Sequence, residues 1–70
     1  MRFSIEQARK FAGITQADMS GILNISRNTY ISLEKKEQYF RVDQIYKFSE
    51  VTGIPIKNID FYTQPIELEQ

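Results

Sequence analysis

Directly behind Ser26 stand Arg27 and Asn28, and one helical turn further on come Ile31 and Ser32. A guanidinium matches the paired acceptors O6 and N7 of guanine, and a carboxamide matches N6 and N7 of adenine. A serine can bond either kind of edge, and an isoleucine can meet a thymine methyl. At about 100° per residue these four side chains gather on one side of a helix, and Thr29, Tyr30 and Leu33 gather on the other. A helix about 10–12 Å across fits a DNA major groove. The same four residues would serve equally as a plain solvated helix face. Other chemistries are poorly provided for. The chain has no histidine and no cysteine, which leaves out disulfides and the usual zinc ligand sets. No serine has a visible base partner, no glycine-rich phosphate loop is present and the carboxylates are scattered, so an enzyme is disfavoured. No cofactor and no metal is implied.

The elements around this face read as short helices. Ser4 caps a first helix with Gln7 as its reciprocal partner, Ile5, Ala8 and Ala12 share its inner face, and Gly13 ends it. Thr15 caps a second, with Asp18 in its first turn and Met19 and Leu23 inward. Asn24 accepts the left-handed turn that follows. Ser26 then caps the third helix, which runs to about Glu34. Lys35–Arg41 is a loop carrying Lys35, Lys36 and Arg41, cations that could hold phosphates; Glu37 dilutes them, and the lysines also suit a helix C-terminus. A fourth helix is expected from about Val42 to Thr52, with Val42, Ile45, Phe48 or Ser49, and Thr52 inward, stopped by Gly53. Pro55 opens a short fifth helix around residues 56–60. The domain is all-α over residues 1–62, and residues 63–70 form a flexible acidic tail.

Seventy residues support one small core. No apolar run approaches the length of a membrane helix, and the first residues do not lead into a signal peptide, so the chain is expected to act whole. Freedom from cysteine suits a reducing cytoplasm. The net charge is zero, but residues 1–47 carry eight basic and five acidic side chains and residues 48–70 one basic and four acidic. A basic front suits contact with DNA at one end only, although the excess is modest for a nucleic-acid binder.

The segment from Thr15 to Glu34 closely resembles the helix-turn-helix of the Cro/repressor (XRE-like) family. The matching positions are Thr15-Gln16, Met19-Ser20, Asn24, Ile25-Ser26 and Glu34. The likeness extends to Arg9, to Phe40-Arg41-Val42 and to Val51-Thr52-Gly53-Ile54, about residues 4–62 in all. It implies a five-helix repressor-like domain with the helix-turn-helix at about residues 15–34. It further implies a transcriptional regulator of phage or mobile-element origin that binds double-stranded operator DNA. Arg27, Asn28, Ile31 and Ser32 would read bases. Gln16 would sit by the phosphate backbone, with Ser26, Lys35, Lys36 and Arg41 as further backbone contacts. Arg9 and Glu34 would form a structural salt bridge. In related regulators the C-terminal region forms a dimer contact, which here offers Ile56, Ile59, Phe61 and Tyr62; closure of the monomer's own core is the competing role for them. A two-fold dimer would set two reading helices about 34 Å apart.

Several residues depart from the family pattern. Lys36 stands where a glycine is common, Gly21 lies inside the second helix, where a close helix approach would explain it, and Tyr30 is larger than the usual aliphatic residue. Ile31 lies in the middle of the reading face. With zero net charge and an Ile22 that could also be exposed, it opens a second reading. In that reading an anti-repressor or modulator of the same fold binds a co-encoded repressor protein instead of, or together with, DNA. No membrane partner and no small-molecule ligand is expected.

Overall fold

The first three helices begin where the sequence supplies a side-chain cap, as a computed structural model describing residues 2–64 shows. Helix α1 is Ile5–Phe11, α2 Gln16–Leu23, α3 Arg27–Glu34 and α4 Val42–Thr52, followed by a 3-10 turn at Ile56–Asn58. The Gln7 amide donates to Ser4 Oγ at 3.0 Å, and the Ser4 amide donates to Gln7 Oε1 at 2.9 Å. Thr15 and Ser26 accept the Asp18 and Thr29 amides in the same manner. Such caps satisfy amide groups that have no partner within the helix, at about 1 kcal/mol each.

The connection between α2 and α3 is three residues long because Asn24 adopts φ 60°. Its left-handed backbone lets the Ile25 amide return to the Ser20 carbonyl at 3.0 Å, and the chain is turned directly into the Ser26 cap. Tyr30 and Leu33 of α3 share one buried core with Met19 and Leu23 of α2 and Ile5 and Ala8 of α1. Thr29, expected inward, is half-buried, and its hydroxyl instead accepts a bond from Ser26 Oγ. Gly21 is exposed and nothing lies within 4 Å of where its Cβ would be, so no close helix approach accounts for it.

Helix α4 buries Gln44, Phe48 and Thr52 rather than Val42, which is 68% exposed. Val42 lies about 120° from Phe48 around the helix, beyond the buried stripe. Gln44 takes the inner position because its amide oxygen accepts the Arg41 N–H at 2.9 Å.

The fifth helix of the sequence reading is one 3-10 turn, so the described residues form four α-helices rather than five. Its two bonds, Asn58 N–H to Pro55 O and Ile59 N–H to Ile56 O, both span three residues. A further helical turn is prevented because residues 58–60 pair with the N-terminal segment. The Phe3 amide donates to Asn58 O at 2.7 Å and the Asp60 amide to Phe3 O at 2.8 Å, a single parallel bridge of Phe3 with Ile59. The extended chain carries Phe61 onto Phe40 and Phe48, with ring centroids 5.0 and 5.6 Å away and near-perpendicular planes. Ile59, 2% exposed, is therefore core, and Phe61 packs against it. Ile59 is therefore not available as a dimer surface; Phe61 is half-buried, and Ile56 and Tyr62 keep exposed side chains. Of the expected tail, residues 63 and 64 are exposed and irregular, and residues 65–70 lie outside the described part. Among the described residues no helix is long and apolar enough to cross a membrane.

Candidate nucleic-acid interface

The outer side of α3 begins with Arg27 and Asn28, both exposed, at the end of the helix where backbone N–H groups point outward. Ile31 and Ser32 follow on the same side but are half-buried. The face is therefore most accessible in its first turn and partly covered in its second. Among the described residues neither Arg27 nor Lys35 has an ion-pair partner. Both side chains are exposed and open to an anionic ligand. Lys36 and Arg41 are each beside a carboxylate: Lys36 Nζ lies 3.6 Å from Asp60, and Arg41 Nε 3.5 Å from Asp43. All four side chains are exposed, so these pairs are weak and can exchange for a stronger anion.

Behind this face the three helices α1, α2 and α3 meet at one carboxylate. Glu34, the last residue of α3, accepts Arg9 Nε at 2.6 Å and the Tyr30 hydroxyl at 2.6 Å, both on Oε2. Its Oε1 accepts the Gln16 amide at 3.1 Å. Arg9 also donates through Nη1 to the Ile14 carbonyl at 2.9 Å. The ion pair is nearly closed to water, with 8% and 7% of the two side chains exposed. Burial opposes the charge on Glu34, but the bonds from Arg9, Tyr30 and Gln16 outweigh it and hold the carboxyl below its ordinary range. Burial likewise works against the Arg9 charge and is overcome by Glu34, which raises the guanidinium further. The Tyr30 phenol is pushed well above its ordinary value, by burial first and by the carboxylate second. It therefore remains a hydrogen-bond donor across the neutral range.

The sequence reading placed Gln16 at a phosphate. Its amide nitrogen is turned to Glu34, which leaves one N–H and the carbonyl oxygen for any outside contact. Tyr30 entered that reading only as an oversized core residue. The four-residue spacing of Tyr30 and Glu34 on one helix was the available sign that the two side chains meet. The sequence reading also missed the exposed side chains of Tyr39, Val42 and Tyr46; Tyr62, which it offered as a dimer contact, is exposed as well. Tyr39 and Tyr62 stack at 4.8 Å. Tyr39 and Val42, with Ile45, line a shallow groove of about 480 Å³.

Comparison with curated proteins and with solved structures gave no significant match. A family model described as Helix-turn-helix matches residues 5–59, which takes in all four helices and the buried carboxylate cluster. By that match the chain belongs to the Cro/repressor-type (XRE-family) helix-turn-helix proteins, a family of DNA-binding regulators that is generally non-enzymatic.

Proposed function

We propose that this chain is a sequence-specific regulator of the Cro type, acting in a phage or mobile-element switch by covering an operator. The observation that carries the reading is the pairing of exposed Arg27 and Asn28 at the start of α3 with a buried rear face, Tyr30 and Leu33, that fixes the helix. Entering the major groove by its N-terminal turn, α3 sets the guanidinium against a guanine edge and the carboxamide against an adenine edge. Ile31 and Ser32 make closer, secondary contacts deeper along the helix. Ser26, the remaining N–H of Gln16, Lys35, Lys36 and Arg41 hold phosphates, which fixes register without reading sequence. Two copies on a two-fold axis would read two half-sites about one DNA turn apart.

Repeated selection from a pool of random duplexes, followed by gel shift across a salt series, tests this. A recurring motif, bound more weakly as salt rises, is expected. No enrichment at low salt would refute the reading. That result would favour the second reading, an anti-repressor that holds a partner repressor. The exposed Tyr39, Val42, Tyr46 and Tyr62 group and the zero net charge support that alternative.

A further inference from the structure

We infer that the Tyr30 hydroxyl is a positioning group for the face α3 presents, setting the rotation of that helix through the Glu34 carboxylate. The inference deepens the DNA-reading proposal and rests on it for its effect on specificity, but its geometric half stands without it.

Tyr30 sits three residues after Arg27 and four before Glu34, in the middle of an eight-residue helix. Its ring is fully buried and fills the space between α3 and its neighbours. A phenylalanine would fill that space as well, so packing does not call for the oxygen. The hydroxyl donates at 2.6 Å to the Glu34 oxygen that also takes Arg9 Nε at 2.6 Å. Glu34 is thereby pinned from three sides: by Tyr30 within α3, by Arg9 of α1 and by Gln16 of α2. Charge-assisted bonds of this kind are short and directional. Without the phenol, the carboxylate keeps its ties to α1 and α2 but loses the one that runs back into its own helix. Arg9 and Gln16 then hold a Glu34 side chain that is no longer fixed to its own helix, so the backbone of α3 can turn beneath it against apolar contacts, which are not directional. A small rotation moves Arg27 and Asn28 sideways across base edges, while phosphate contacts tolerate it.

The test is Tyr30→Phe in the full chain, with two readouts. Residual dipolar couplings of the α3 amides against those of α1 are expected to change between wild type and Tyr30→Phe, and the Glu34 carboxyl carbon to titrate at higher pH. Discrimination between the duplex enriched by the wild-type chain and a scrambled duplex should fall about tenfold, as loss of a bond to a charged group would give, with affinity for the scrambled duplex unchanged. Ile54→Val, a core change away from α3, controls for lost stability and should leave discrimination intact. Unchanged couplings with unchanged discrimination would overturn the inference, and so would an equal loss in Ile54→Val. If the wild-type chain selects no duplex, the DNA-reading proposal fails and the couplings alone decide: altered α3 orientation supports the positioning role, and unaltered orientation refutes it. Should Tyr30→Phe not fold, Glu34→Asp, which draws the carboxylate back by one methylene, takes the coupling and discrimination measurements with the same expected outcomes.

Discussion

Replacing Glu34 by alanine removes one side of the buried ion pair and leaves the Arg9 guanidinium in place. That guanidinium is 8% exposed and would keep only the Ile14 carbonyl as a named partner. The Tyr30 hydroxyl and the Gln16 amide lose their acceptor in the same step. Breaking a buried pair on one side costs about 3–5 kcal/mol, because an uncompensated charge stays behind. A chain of 70 residues holds about 4–10 kcal/mol in all, at the usual range per residue. Glu34→Ala should therefore remove a large part of the total and lower the melting temperature by more than about 10 °C. Urea unfolding followed by far-ultraviolet circular dichroism measures the loss directly. A loss under about 1 kcal/mol, the range of exposed pairs, would refute the claim that Arg9 and Glu34 form the closed joint behind α3. Glu34→Gln, which keeps an acceptor for Tyr30, should cost less than Glu34→Ala.

The same joint gives a pH dependence. Glu34 titrates lower in the folded than in the unfolded chain, so its contribution is present above the unfolded carboxyl value and is lost as pH falls through the folded one; Glu34→Gln should flatten that acid limb. Gly21→Ala should raise stability by up to about 1 kcal/mol in thermal melts, since α2 has open space for a Cβ there. A loss would mean the site is crowded. Lys36 holds φ 62°, a left-handed backbone, and Lys36→Gly should gain about 1 kcal/mol, because the ion pair it gives up with Asp60 is half-exposed. A destabilised Lys36→Gly would show that the lysine side chain matters more than its backbone.

What could be read from the sequence was mostly local. The Ser4–Gln7 box, the Thr15 and Ser26 caps and the turn at Asn24 depend on residues three or four apart, and periodicity set Tyr30 and Leu33 against Arg27 and Asn28. Contacts distant in sequence were invisible. Nothing near Ile59 announces that Phe3 will pair with it, and without that bridge the last segment reads as a helix. Val42 was misplaced because hydrophobicity alone cannot tell that Gln44, needed as a cap for Arg41, takes the inner position. Gln16 offered two bonding partners, phosphate and carboxylate, and only the folded chain brings Glu34 within reach. The Arg9–Glu34 joint came from family resemblance alone, since two charges 25 residues apart carry no local sign of meeting.

The claim on which the functional account turns is that Arg27 and Asn28 read base edges. Parallel duplex selections with the wild-type chain, Arg27→Ala and Asn28→Ala measure it position by position. The account predicts that each variant loses preference at one or two base pairs, by about 1–3 kcal/mol each, and keeps the rest of the motif. Recovery of the same motif at the same strength by all three proteins would contradict it.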